Sequence, residues 1–238
     1  MLSKNQIKLI ASLKQKKYRT LHNLFVVEGV KGIKELLKSN LVLHALYTTQ
    51  SFNNNISEEQ IITAQDLKRI SFLTTPNTAL AIFKIPEKQP ITTTNLIVAL
   101  DDVRDPGNLG TIIRLCDWFG ITELVCSNAT VSCYNPKVVQ ATMGSITRVN
   151  ISYTNLESFI KSTTLPVFGA FMDGDNVYTK KMPDTGILIM GNEANGISNN
   201  LEALVTNKIA IPRFGDLQAT ESLNVATATA ILLSEFKR

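Results

Sequence analysis

Three short polar loops hold the residue types best suited to bind and orient a ligand, each set between an apolar strand-like run and a helix-like segment. The first reads Asp105-Pro106-Gly107-Asn108-Leu109-Gly110, with Arg114 one helical turn on. The second reads Gly191-Asn192-Glu193-Ala194-Asn195-Gly196, and the third Glu221-Ser222-Leu223-Asn224. Asn, Arg, Glu and Ser are poor core residues and good hydrogen-bonding groups. In open α/β sheets, ligands bind beyond the carboxyl ends of the strands, where such loops lie. Their concentration in one half of the chain points to a single composite site.

Each loop offers a different chemistry. In the first, Pro106 and Gly107 force a turn, and Asn108 falls where a helix N-cap is expected. Free backbone N–H groups there suit an anion or a polar substrate. Arg114 can point back at this loop or interlock with the sheet; as bare residues, Asp105 and Asn108 serve equally well as simple caps beside a solvated Arg114. In the second loop, paired glycines allow close backbone approach to a ligand. Glu193 is its one titratable group, able to accept hydrogen bonds from a substrate or to orient Arg114. In the third, Ser222 and Asn224 open an Ala-rich helix, and Asn224 is a poor helix former that belongs at a cap or a contact.

Missing motifs narrow the chemistry. GxGxxG does not follow the first strand of either half, which disfavours a Rossmann dinucleotide site or a Rossmann-type methyltransferase. Neither GxxxxGK[ST] nor GxSxG occurs, which disfavours a P-loop nucleotidase and a serine elbow. His22 and His44 are the only histidines and both lie early in the chain. Chemistry in the second half must therefore use Arg, Glu, Ser and Asn.

The elements that would position these loops form an α/β pattern. Leu96–Leu100 is a continuous apolar run, as expected of a strand buried on both faces. Strands are also predicted at Glu123–Cys126, Val149–Tyr153, Val167–Phe171, Ile187–Met190 and Lys208–Ile211. Helices are predicted at Thr111–Phe119, Pro136–Met143, Leu156–Lys161 and Ser222–Phe236. This alternation predicts a parallel α/β domain over 96–238. Upstream, one helix over 4–18, strands near Phe25–Gly29, Val42–Thr48, Ile61–Thr63 and Ala79–Ile85, and helices Val30–Lys38 and Ala64–Ile70 predict a small α/β module over 1–86. The aperiodic stretch 87–95, with Pro90 and its threonines, reads as a linker.

Charge is unevenly spread. Residues 1–38 carry nine basic and two acidic side chains, a net of +7, on a 238-residue chain whose total is +4, so the remainder is −3. A basic leading segment with Lys14, Lys16, Lys17 and Arg19 clustered beside Tyr18 favours a phosphate-backbone partner over a merely solvated helix. No apolar run reaches the ~18–20 residues of a membrane span. The first residues lack the apolar stretch of a signal peptide. Cys116, Cys126 and Cys133 have no CxxC spacing and read as buried reduced thiols, so no metal is expected. A cytoplasmic protein is the expectation.

In this order, the loops resemble the SpoU (TrmH) family of RNA ribose 2′-O-methyltransferases. The matching stretches are Leu100 through Arg114, Ile189-Met190-Gly191-Asn192-Glu193-Ala194-Asn195-Gly196-Ile197, and Ile211-Pro212 followed by Glu221-Ser222-Leu223-Asn224-Val225-Ala226. Phe25-Val26-Val27-Glu28-Gly29 after Lys16-Lys17-Tyr18-Arg19 looks like the family's L30-like RNA-binding extension. The resemblance implies a parallel sheet with a deep trefoil knot, a homodimer, and S-adenosylmethionine as methyl donor, leaving as S-adenosylhomocysteine. It implies structured RNA as substrate, ribosomal (23S) rather than transfer RNA. By position it places the donor on Ala170, Gly191, Asn192, Ile211, Ser222 and Leu223, and the catalytic positions on Asn108, Arg114, Glu193, Ser222 and Asn224. RNA would meet Lys14, Lys16, Lys17 and Arg19. The chain departs from the pattern where Arg213-Phe214 follows Ile211-Pro212, in place of the usual Met, and in a longer connection from Pro212 to Glu221.

The implied reaction is an in-line attack of a ribose 2′-oxygen on a sulfonium methyl. Arg114 is the family's proposed proton acceptor, yet a guanidinium is ordinarily charged, so binding phosphate to orient the ribose is an equally physical role. Competing readings are a catalytically silent RNA-binding protein on this scaffold, a knotted methyltransferase acting on a base nitrogen, and a small-molecule α/β enzyme. The intact Asn108, Arg114, Glu193, Ser222 and Asn224 set argues against the first two, and the basic leading segment against the third.

Overall fold

The computed structural model describes residues 2–52, 56–214 and 222–238. Glu221 of the third loop, and with it the length of the Pro212–Glu221 connection, lies outside the described residues. The chain divides into two compact units, Met1–Glu87 with Ser132–Thr147, and Lys88–Val131 with Arg148–Arg238.

The first unit begins with α1 (Lys4–Ser12), α2 (Lys16–His22), β1 (Leu24–Glu28) and α3 (Val30–Leu37). It continues with β2 (Leu43–Thr48), β3 (Glu59–Ile61), α4 (Ala64–Ile70) and β4 (Ala79–Lys84). Ser3 and Gln6 form a reciprocal capping box that starts α1. The single helix predicted over 4–18 is instead two. The reason is Arg19, whose buried Nη1 donates to the carbonyls of Leu13 (2.9 Å) and Lys14 (2.7 Å) that the end of α1 leaves free. Asn23, in the left-handed region at φ 54°, then stops α2. The strands form a sheet of order β1-β4-β2-β3, antiparallel except for β2 beside β3. Ile10, Leu13, Val26, Leu67, Leu80 and Ile82 pack the core on one side of it.

The second unit starts with β5 (Leu96–Leu100), α5 (Pro106–Trp118) and β6 (Glu123–Ser127). The buried carboxylate of Glu123 accepts from Thr92 Oγ1 (2.6 Å) and Asn150 Nδ2 (2.9 Å), which pins the start of the unit to the sheet. After β6 the chain forms α6 (Pro136–Thr142), and Ser132–Thr147 groups with the first unit rather than with its sequence neighbours. The Tyr134 ring lies 4.8 Å from that of Phe25 in β1, and Gly144 sits so close to Glu35 that a Cβ there would lie 2.8 Å from the Glu35 Cβ. β7 (Asn150–Thr154), α7 (Leu156–Lys161), β8 (Val167–Asn176), β9 (Gly186–Met190), α8 (Asn199–Glu202), β10 (Asn207–Ala210) and α9 (Val225–Phe236) complete the unit.

Its six strands are all parallel, in the order β10-β8-β9-β5-β6-β7. β5 and β9 are buried along their whole length at the centre. Ile97, Ala99, Ile187 and Ile189 face Leu156 and Ile160 of α7. All six strands expected over 96–238 are present, and the chain is an α/β fold with a parallel sheet. Beside β10, the ladder of β8 jumps from Gly169 to Asp175 between the consecutive residues Lys208 and Ile209. Ala170 to Gly174 therefore bulge out of the pairing. The three cysteines are buried and outside any disulfide, and burial, with the charge of Asp117 adding, pushes the Cys116 thiol up to about 12. Among the described residues no helix is long and apolar enough to cross a membrane.

Candidate active site

The strand order reverses at the centre of the six-stranded sheet. β6 and β7 extend from β5 on one side, and β9, β8 and β10 on the other. The loops leaving β5 and β9 lie at that switch point, where open parallel sheets bind ligands. A cavity of about 1270 Å³ opens there. Its wall comes from the β8 bulge (Ala170, Met172), the loop after β9 (Gly191, Asn192, Glu193), the end of β10 (Ile209, Ile211, Arg213) and the start of α9 (Ser222, Leu223, Val225).

Local sequence fixes the first loop differently from the simple capping expectation. The N-cap of α5 is Asp105, whose Oδ1 accepts the Asn108 N–H at 2.8 Å, and Pro106 occupies the first turn. The Asn108 side chain is thereby released from capping. Its Nδ2 donates to Glu193 Oε1 at 2.7 Å, and its Oδ1 accepts from Asn224 Nδ2 at 2.9 Å. Asn224 is the true N-cap of α9, so that helix starts at Val225 rather than Ser222. Its Oδ1 accepts from the N–H groups of Ala226 (3.0 Å) and Thr227 (3.2 Å). One chain of hydrogen bonds thus joins all three loops across 85 and 116 residues of sequence.

Gly191 and Asn192 hold the second loop tightly. Asn192 and Gly196 exchange backbone hydrogen bonds, both at 2.9 Å. The Asn192 amide donates to the Asp102 carbonyl at 2.7 Å, and its Oδ1 accepts from the Ala194 and Asn195 N–H groups. Its side chain is therefore committed to shaping the loop. Asp101 accepts the Ser198 N–H at 2.8 Å, and Asp102, at φ 56°, takes a left-handed turn with its N–H on Ser127 Oγ. Sequence reasoning assigns neither aspartate a role. Two acidic residues at the end of a fully apolar strand are the available signal. It also misses Val225, Ala228 and Leu232, whose helical spacing puts one face of α9 on the cavity wall.

All six expected donor positions, Ala170, Gly191, Asn192, Ile211, Ser222 and Leu223, line the cavity. Of the expected catalytic positions, Glu193 and Ser222 line it, and Asn108 and Asn224 adjoin it through Glu193. Arg114 does not line it. It lies exposed on α5. In the first unit, Lys14, Lys16 and Lys17 are exposed, with the Lys14 Nζ 4.9 Å from the Phe72 ring centroid. Arg19 is the exception among the expected RNA contacts: it is 3% exposed and spent on the α1–α2 turn. Among the described residues no cluster of three or more His, Cys, Asp or Glu could hold a metal ion.

The profile of the SpoU rRNA methylase family matches residues 95–234. The chain belongs to that family. A second profile, the MRM3-like substrate-binding domain, matches residues 4–81 of this SpoU chain. RlmP of Bacillus subtilis, a 23S rRNA (guanosine(2553)-2′-O)-methyltransferase, is 30% identical over 97% of this chain and 96% of its own. A TrmH-family structure from Porphyromonas gingivalis superposes with a TM-score of 0.91 at 38% identity, covering 100% of this chain and 98% of that one. An AdoMet-bound rRNA methyltransferase from Sinorhizobium meliloti gives 0.86 at 29% identity, covering 99% and 96%.

The Glu193–Asn108–Asn224 chain makes Asn108 its pivot. Asn108→Ala leaves the exposed Glu193 and Asn224 side chains without their shared partner. Methyl transfer measured at saturating donor should fall by on the order of ten- to a hundredfold, in line with about 1–3 kcal/mol for a lost charge-assisted hydrogen bond. Asn108→Ala with unchanged kcat would show that the loops hold their geometry without it.

Proposed function

We propose that this chain is an S-adenosylmethionine-dependent ribose 2′-O-methyltransferase acting on ribosomal RNA, with 23S RNA favoured over transfer RNA. The observation that carries the reading is the Glu193–Asn108–Asn224 chain at the edge of a cavity holding every expected donor position, in a member of the SpoU family. The names of relatives such as RlmP support the ribosomal substrate.

The cavity fits the donor chemically. Ile209, Ile211, Leu223 and Leu232 give apolar wall for a flat purine, and Glu193, Ser222 and the loop after β9 give polar rim for the charged and hydroxyl groups. When bound, S-adenosylmethionine supplies an electrophilic methyl on a sulfonium, the leaving group being S-adenosylhomocysteine. Asn108, fixed from both sides by Glu193 and Asn224, orients the ribose that attacks. Ser222 borders the same cavity and contributes a hydroxyl to that orientation. Exposed on α5, Arg114 is assigned to grip an RNA phosphate and hold the nucleotide in line. Positioning of this kind supplies a large part of a barrier reduction. Lys14, Lys16 and Lys17 recruit RNA electrostatically, and their contribution weakens with salt. The trefoil knot and the homodimer belong to the same proposal, supported by family membership and, for the dimer, by Trp118, 84% exposed four residues beyond Arg114 on α5. A cytoplasmic location belongs to it as well.

The test is incubation with methyl-labelled S-adenosylmethionine and unmodified ribosomal RNA or ribosomal subunits, followed by digestion to nucleosides. Label in a 2′-O-methylnucleoside is the expected result. Label on a base would move the protein to base-nitrogen chemistry, and donor binding with no transfer to either substrate would make it a silent RNA binder.

A further inference from the structure

At the edge of the donor cavity lies a cluster of exposed side chains, of which Phe214 and Tyr178 stand outside the cavity lining. Phe214 is 83% exposed and Met172 63% exposed, and Tyr178 and Leu223 are also exposed. They are neighbours. The rings of Tyr178 and Phe214 have centroids 6.5 Å apart and are tilted by 30°. Arg213 Nη2 lies 3.2 Å from Met172 Sδ. Met172, Arg213 and Leu223 line the cavity, so the cluster forms its rim. Large side chains of this kind are normally hidden from water, and contiguous exposed ones mark interaction sites. Arg213-Phe214 is also where this sequence departs from the family pattern.

Resting on the methyltransferase reading above, we propose that Phe214, with Tyr178, Met172 and Arg213, is a stacking rim for an unpaired RNA base next to the ribose being methylated. Unpaired bases stack on aromatic rings and on guanidinium planes, and this recognition tolerates any base because each has a π-face. The rim offers both surfaces at the mouth of the cavity. Its charged surroundings suit RNA better than the core of a protein interface, which is depleted in charge. Arg213 is within it, Arg238 donates to the Tyr178 carbonyl at 3.5 Å, and Lys180 and Lys181 follow Tyr178 in sequence. Lys180 pairs with Asp175 and Arg238 with Glu235, so each of these pairs is neutral and the charge around the rim is of both signs. Stacking there holds the target nucleotide flat against the rim while Asn108 and Arg114 fix its sugar and phosphate. Phe214 is thus a positioning residue for RNA and leaves the donor alone.

The test compares wild type with Phe214→Ala, Phe214→Leu and Phe214→Tyr. Ribosomal RNA transcribed with 5-iodouridine, which photocrosslinks to stacked aromatic rings, is irradiated on the protein in the presence of S-adenosylhomocysteine, and the crosslinked peptides are mapped. Crosslinks at Phe214 or Tyr178 are expected. In steady-state methylation, Phe214→Ala and Phe214→Leu should raise the RNA KM about tenfold. Phe214→Tyr should restore it, and S-adenosylhomocysteine affinity by titration calorimetry should be unchanged in all of them. Crosslinks confined to other regions, an unchanged KM in Phe214→Ala, or Phe214→Leu equal to Phe214→Tyr would overturn the proposal. So would a drop in sedimentation coefficient in Phe214→Ala without a KM defect, which would make the rim a contact between copies. Rim crosslinks in a wild-type protein that transfers no methyl would sink the reaction and keep the rim. Methyl transfer without rim crosslinks would do the reverse.

Discussion

Arg114→Ala is expected to lower single-turnover methyl transfer by on the order of a hundred- to a thousandfold, the usual cost of removing a fixed charged donor from a transition state. Affinity for S-adenosylhomocysteine should not change. The two quantities separate because Arg114 stands exposed on α5 and contributes nothing to the cavity wall, which is built from the β8 bulge, the loop after β9, the end of β10 and the start of α9. Rapid-quench transfer from prebound donor and calorimetric titration with S-adenosylhomocysteine measure the two independently. Lost donor binding in Arg114→Ala would show that the residue belongs to the donor site and contradict the assignment. Arg114→Lys sharpens the reading. Lysine keeps the charge and loses the planar fork, so partial activity fits phosphate binding as a point charge, and full loss fits bidentate grip on the nucleotide.

Gly191→Ala should lower donor affinity by on the order of a hundredfold, the upper end of what an overpacked methyl costs at roughly 1–3 kcal/mol. A Cβ at this position would lie 2.3 Å from the Gly196 carbonyl carbon, 2.4 Å from the Ile197 nitrogen and 2.5 Å from the Gly196 oxygen. These are backbone atoms, which cannot swing aside as a flexible side chain would. They also belong to the Asn192–Gly196 bridge, so the added methyl pries apart the turn that presents Glu193 to Asn108. The close approach, not a special backbone angle, is what requires glycine. Calorimetry with S-adenosylhomocysteine and a thermal melt of the same sample test this. A folded Gly191→Ala protein with wild-type donor affinity would mean that the turn opens without consequence for the cavity.

Much of the site's chemistry is legible in the sequence because it is encoded locally. Asp105-Pro106 starts a helix, and Asn224 caps another, through contacts of two or three residues. The continuous apolar runs Leu96–Leu100 and Gly186–Met190 announce strands buried on both faces, and the structure places them side by side at the centre of the sheet. Where the sequence misleads, the cause is a local period cut short by a longer-range contact. A 3.6-residue period runs smoothly through 4–18. Nothing in that period says that Arg19 will fold back onto the carbonyls of Leu13 and Lys14. Two helices therefore stand where the period predicts one, and Arg19 is a buried cation where the charge cluster predicts an exposed one.

By itself the sequence determined the parallel α/β class, the identity of the three loops and the residue types they bring to a ligand. Those follow from periodicity, capping and turn chemistry, which act within a few residues. Tertiary structure decided which loops meet. β9 slots between β8 and β5, and that order brings Glu193 to Asn108 and sets Asn224 against the same side chain. It decided that Ser132–Thr147 packs with the first unit, that β8 throws Ala170 to Gly174 out of its ladder onto the cavity wall, and that Arg19 is buried. Each of these depends on partners beyond the reach of a local period, and strand order and burial are properties of the whole packed chain.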